Sequence, residues 1–171
     1  DKTIPAMGSR RLADWLAAPL TNLEAITARH EAVEELLRDN RLCSELREQL
    51  GEVYDLQRLL ARVTTGRASP RDLSFIGRTL KRLPAIKAKL TARKSALLNQ
   101  LQEQLDLCPE VAGRLDAALE ADCPLSSTEG GFIRAGYLEE LDNLRELAHG
   151  GKQWIANYQK QEIERTGIPT L

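Results

Sequence analysis

Aromatic residues make up only 4% of this 171-residue chain, so a core must be built mainly from leucine and alanine, the usual material of helix packed on helix rather than of sheets. Cysteine is also scarce. Cys43, Cys108 and Cys123 are odd in number, far apart and without a Cys-x-x-Cys pair, which argues against a disulfide framework or a zinc ribbon and predicts reduced, inert thiols. Net charge is nearly absent: 24 Lys+Arg against 25 Asp+Glu leave −1, so no global field draws the chain to nucleic acid or an acidic substrate. No window approaches the roughly 18 apolar residues of a membrane span, and the N-terminus lacks the basic-then-apolar order of a signal peptide. A soluble, cytoplasmic protein without membrane contact is expected.

What is present is amphipathic helix. With 42% hydrophobic residues, the chain can build one modest core, or two small ones joined by long helices. Ser9 is placed to cap a first helix carrying Leu12, Trp15 and Leu16, which Pro19 stops. Thr21 and Glu24 have capping-box spacing, and Ile26, His30, Val33 and Leu37 follow in steps of four, three and four, a stripe that needs a partner helix. Asp39 or Asn40 opens a third helix with Leu42, Leu46 and Leu50, and Gly51 is placed to end it in the left-handed conformation. Asp55 caps a fourth helix, and Gly66 turns into Ser69-Pro70-Arg71-Asp72, where Ser69 caps, Pro70 takes the first helical position and Asp72 meets the helix dipole.

That fifth helix is expected to run to Pro84, followed by a stretch with Ile86, Leu90, Leu97, Leu101 and Leu105. Pro109 starts a short helix, residues 122–131 form a loop, and Phe132-Ile133 is briefly extended. From about Leu138 to Thr166 only Gly150-Gly151 interrupts a pattern in which Leu141, Leu144, Ala148, Ile155 and Tyr158 keep coiled-coil-like spacing. At about 1.5 Å per residue such a helix spans roughly 40 Å and forms an arm. Gly167, Ile168 and Pro169 supply its left-handed cap, apolar contact and stop.

Catalytic patterns fail on inspection. His30-Glu31-Ala32-Val33-Glu34 lacks the second histidine of a zinc-protease helix, and Glu146-Leu147-Ala148-His149 lacks the second Glu-x-x-His copy of a di-iron bundle. Neither Gly130-Gly131 nor Gly150-Gly151 sits in a phosphate loop. The residues therefore assign no catalytic, cofactor or metal position, and the chain is not expected to be an enzyme by itself. Gly150-Gly151 has two readings, a close packing point or a soft point in the arm. One asymmetry stands out: residues 73–102 contain no acid but carry Arg78, Lys81, Arg82, Lys87, Lys89, Arg93 and Lys94. These are either helix faces complementing their neighbours or a phosphate-facing strip, though no interleaved aromatics support base stacking.

Five stretches, in order, resemble the core and lever region of the MutS family of DNA mismatch-recognition ATPases. They are Met7-Gly8-Ser9-Arg10 with Leu12, Trp15-Leu16 and Pro19-Leu20; Arg29 with Ala32-Val33-Glu34-Glu35-Leu36; Tyr54-Asp55-Leu56 through Arg58-Leu59-Leu60-Ala61-Arg62 to Gly66-Arg67-Ala68-Ser69-Pro70-Arg71-Asp72-Leu73; Gly130-Gly131-Phe132-Ile133-Arg134 with Gly136-Tyr137, Glu140-Leu141-Asp142 and Leu144-Arg145; and Glu164-Arg165-Thr166-Gly167-Ile168. Residues 74–129 match loosely, Ala13-Asp14 stands where the family often has a basic pair, and Phe132 replaces a smaller aliphatic.

The resemblance implies an elongated all-α fold, with residues 1–137 as helical core and residues 138–171 as a long lever helix leading to a clamp beyond Leu171. It implies a parent protein that binds mismatched double-stranded DNA, uses ATP and Mg²⁺, forms a homodimer and hands over to downstream repair proteins, while this segment couples those parts. Ending after such an arm, the sequence reads as a piece of a longer protein. The residues alone leave one alternative, a helical protein-docking module unrelated to DNA repair.

Overall fold

Ser69 begins the organising helix. Its hydroxyl accepts the Asp72 amide at 3.1 Å while the Asp72 carboxylate accepts the Ser69 amide at 2.9 Å, a capping box with Pro70 at the first helical turn. The computed structural model describes residues 2–167. Among them are α1 (Ala6–Ala17), α2 (Leu23–Arg38), α3 (Asn40–Gly51), α4 (Leu56–Thr64), α5 (Pro70–Lys89), α6 (Ala96–Gln104), α7 (Pro109–Ala118) and α8 (Glu139–Thr166), with a 3-10 turn at Ser127–Glu129 in the 122–131 loop and no sheet among the described residues. The fold is all-α, as the composition implies. Contacts divide the chain into two units, Asp1–Phe132 and Ile133–Leu171.

In the first unit α5 is the hub, packing against α3, α4 and α7. One apolar cluster joins Leu42 and Leu46 of α3 to Ile86, and a second joins Leu59 of α4 to Ile76 and Leu80. Leu83 packs against both and links them. Tyr54 stacks on Phe75 with centroids 4.1 Å apart, and the wholly buried Thr79 hydroxyl accepts the Tyr54 amide at 3.1 Å, so the α3–α4 turn is held to α5 by both apolar and polar contacts. Gly77 lets α7 approach closely: a Cβ there would stand 3.3 Å from that of Leu115.

Asp55 and Pro109 start α4 and α7 as expected, Asp39 rather than Asn40 caps α3, and Gly66 turns the chain at φ 68°, with the Arg67 amide reaching the Arg62 carbonyl. Four local expectations are corrected. Pro5 rather than Ser9 precedes α1, because its extended backbone and carbonyl already begin the first turn, accepting from Gly8 at 2.8 Å. Asn22 rather than Thr21 caps α2, its amide oxygen accepting from Ala25 at 2.9 Å, so no Thr21–Glu24 box forms. Gly51 stays helical, and the Glu52 and Val53 amides bond back to Gln49 and Leu50, leaving no need for a left-handed residue.

The fourth correction is larger. Pro84 lies inside α5, which continues to Lys89. Proline deletes one intrahelical hydrogen bond, but burial of Ile86 and contacts of Leu83 and Leu90 with α3 outweigh that loss. The chain then turns through Ala92, at φ 57°, before Ser95 caps α6.

In the second unit, α8 runs unbroken for 28 residues through Gly150-Gly151, about 42 Å of helix. None of its residues is buried. Gly167 ends it at φ 69° with its amide on the Ile163 carbonyl, as read from the sequence; the expected contributions of Ile168 and Pro169 lie outside the described residues.

Candidate functional site

The segments that carry the family resemblance contain several of the polar joints between helices. Arg10 of α1 grips Asp55 with two parallel hydrogen bonds of 2.8 Å and reaches Gln57 at 2.8 Å. Asp55 also caps α4 through the Arg58 amide, and the Arg10 guanidinium, more than any other neighbour, holds its carboxyl below the ordinary aspartate range. Arg29 of α2 lies 3.9 Å from the Trp15 ring, joining the first two helices through a cation–π contact. Arg62 of α4 meets the buried Asp72 at 2.8 Å. Burial pushes the Asp72 carboxyl up, but hydrogen bonds from Ser69 and the charge of Arg62 override it and leave the acid below its ordinary range.

Glu35 makes the longest of these connections. Its two oxygens accept the Lys94 and Ser95 amides at 3.0 and 2.6 Å, tying α2 to the turn before α6, and these two bonds lower its pKa. In the second unit Asp142 accepts the Gly136 amide at 2.6 Å and Arg145 at 2.9 Å, while Arg145 also donates to the Ile133 carbonyl, folding residues 133–138 onto the first turns of α8. Ile133, Gly136 and the Asp142–Arg145 pair are thus one local structure.

Several cations of the basic strip meet partners on neighbouring elements. Lys81 pairs with Asp116, Arg82 with Glu52, and Lys89 with Glu45 at 2.5 Å; Lys87 donates to the Leu105 carbonyl at 2.8 Å. Arg93 bonds the Thr91 carbonyl at 3.2 Å. Helix α5 therefore docks its neighbours by charge as well as by leucine. The individual pairings are not legible in the sequence because the partners lie far apart in the chain, Glu45 and Glu52 before the acid-free run and Asp116 after it.

Glu45 makes this docking pH-sensitive. Hydrogen bonds from Lys89, then from Arg41, lower its pKa to about 2 from the ordinary 4.5. A carboxylate with a depressed folded pKa stabilises the fold above its unfolded value, and that stabilisation fades as pH falls from about 4.5 towards 2. The expected result is that Glu45→Gln lowers the urea midpoint at pH 7 but narrows its difference from the unsubstituted protein at pH 2, measured by circular dichroism.

His30 and His149 are both exposed on their helices, and among the described residues no group of three or more His, Cys, Asp or Glu is placed to hold a metal ion. The three cysteines are free, with Cys123 buried and its thiol pushed up mainly by that burial. No helix among the described residues is long and apolar enough to cross a membrane. A cleft of about 590 Å³ beside α2 is lined by Glu31, Glu34, Glu35, Arg38, Arg93 and Lys94, but Glu34 is paired with Arg38 and Glu35 with backbone amides. These groups hold geometry.

Comparison with known proteins gives this arrangement a context. The family model described as MutS domain III matches residues 1–166. Over its entire length the chain is 56% identical to a DNA mismatch repair protein MutS of Rhodopirellula baltica, 46% identical to one of Salinibacter ruber, and 46% identical to a DNA mismatch repair protein MutS 2 of Haloarcula marismortui. It spans only 19%, 19% and 18% of those proteins, about a fifth of their length. An ordered series of helical joints, a long arm and a family match across nearly the whole sequence lead to one conclusion: the chain belongs to the MutS domain III family.

Proposed function

We propose that this domain is the mechanical link of a longer protein, relaying nucleotide state at one end to DNA grip at the other as near-rigid-body motion. The observation that carries this reading is the 28-residue α8, which has no buried residue and is long enough to join distant parts. Family membership favours this link over an unrelated docking module. The parent protein binds mismatched duplex DNA, binds ATP with Mg²⁺ and works as a cytoplasmic homodimer, with those sites in portions outside this chain; the chemistry of ATP hydrolysis belongs there too. Here the residues contribute stiffness: ionic joints fix the base, and Asp142 with Arg145 fixes the root of the arm.

The glycine pair supplies the test. Nothing stands within 4 Å of a Cβ at Gly150 or Gly151, so alanine fits both sites. The double change Gly150→Ala/Gly151→Ala is expected to stabilise α8 by about 2 kcal/mol, read as slower amide exchange around the pair. In the full-length protein Gly151→Pro is expected to retain nucleotide-free binding to a mismatched duplex while losing ATP-driven release. Unchanged ATP-driven release by that variant would refute the link.

A further inference from the structure

Helix α5 passes from one apolar cluster to the other at Pro84, the residue where the sequence pattern placed its end. Ile76 and Leu80, before it, pack with α4 and α7; Ile86 and Leu90, after it, pack with α3, which in turn carries α2 and, through α2, α6. Of the described residues Leu83 alone belongs to both clusters, and the ion pair at the division, Arg82 with Glu52, is half exposed. Pro84 has no N–H for the Leu80 carbonyl, so the helix resists bending least where the two clusters part. The first unit is built as two packed halves that meet at one soft point.

Helix α1 bridges these halves and belongs to the core of neither. None of its residues is buried, so ties rather than packing hold it. Towards the α4 half, Arg10 grips Asp55 through both guanidinium nitrogens at 2.8 Å and reaches Gln57. Towards the α2–α3 half, the Arg29 guanidinium lies over the Trp15 ring, and Arg47 of α3 donates to the Lys2 carbonyl, just ahead of α1, at 3.5 Å. A bidentate charged pair fixes orientation as well as distance, so the two halves are set against each other through α1.

We infer that α1 is a strap across a hinge at Pro84, with the Arg10–Asp55 pair as its catch. Closed, the catch holds the halves as they stand; open, it lets the α2–α3–α6 half swing about Pro84. The inference concerns motion inside the helical base and does not rest on α8 as a link. Opening strands no charge: Asp55 keeps the Arg58 amide and the nearby Arg58 guanidinium, and the Arg10 side chain, 36% exposed, is already open to water.

The test uses the full-length protein with nitroxides on non-natural residues at positions 100 and 117, both exposed, on α6 and α7, diluted with unlabelled subunits and read by pulsed electron paramagnetic resonance. A bend of about 20°, enough to count as a kink, moves a point roughly 15 Å from the hinge by about 5 Å. The otherwise unsubstituted protein is expected to give one distance maximum, Arg10→Ala to add a second displaced by about 5 Å, and Arg10→Ala/Pro84→Ala to return to one. Asp55→Asn, which keeps a cap on α4, is expected to match Arg10→Ala and takes its place should that variant fail to fold. Leu16→Ala, on α1 but 76% exposed and outside the ties, is expected to keep the single maximum. An unchanged maximum in every folded member of the Arg10→Ala and Asp55→Asn pair would show that there is no catch. A second maximum that survives Pro84→Ala would place the motion elsewhere, and one that appears with Leu16→Ala would show general loosening of α1. Any of these overturns the assignment.

Discussion

Asp72→Ala is expected to destabilise the helical unit by about 3 kcal/mol, because one buried carboxylate serves two purposes at once. It closes the capping box of the hub helix α5 by accepting the Ser69 amide, and it receives Arg62 from α4 at 2.8 Å. Alanine removes the acceptor for the Ser69 amide and leaves the Arg62 guanidinium without its partner. Arg62→Ala is expected to cost less, about 1 kcal/mol, since the arginine side chain is half exposed and water can replace it. Urea unfolding of both variants gives the comparison. A ratio near one would mean that the ion pair, not the cap, carries the joint. Because the folded pKa of Asp72 is depressed, its stabilisation is present above the unfolded value of about 3.8 and is lost as pH falls below it, so Asp72→Ala should also flatten the acid limb of the stability curve.

Leu80→Ala is expected to cost about 3 to 4 kcal/mol through lost transfer energy and the cavity left behind. Leu80 is 8% exposed, clustered with Leu59 and Ile76, at the point where α4 meets α5. Leu147→Ala on α8 is the contrast: that leucine is 72% exposed, and its removal is expected to change the stability of this chain by no more than about 0.5 kcal/mol. In the full-length protein the two values diverge further or converge according to what covers α8. A Leu80→Ala cost below about 1 kcal/mol would show that the second cluster can collapse around the gap.

The resemblance and the joints meet at particular residues. Arg10 and Asp55 lie 45 positions apart and belong to different family stretches, yet they form one bidentate pair. Glu35 and Ser95 are 60 positions apart. Arg10, Glu35 and Asp55 lie in the stretches that carry the resemblance, but nothing local in the sequence said which partner each would meet. The candidate stripe on α2 carried a similar ambiguity: periodicity identified an apolar row, while Ala25, Ala28 and Ala32 on the other side were too small to register as a competing face. Of these Ala32 is buried and Ala25 and Ala28 are half-buried.

By itself, then, the sequence determined the helical class, the starts at Asp55, Ser69 and Pro109, the start of α3 to within a residue, and the stops at Gly66 and Gly167. Each depends on hydrogen bonds or backbone angles spanning a few residues, so the information is local. Tertiary structure decided that α5 passes through Pro84, that the inner face of α2 is the alanine side, and that the cations of residues 81–89 turn towards Glu45, Glu52 and Asp116. Those outcomes depend on burial and charge pairing between segments distant in sequence, where the energy of a helix face is set by what packs against it.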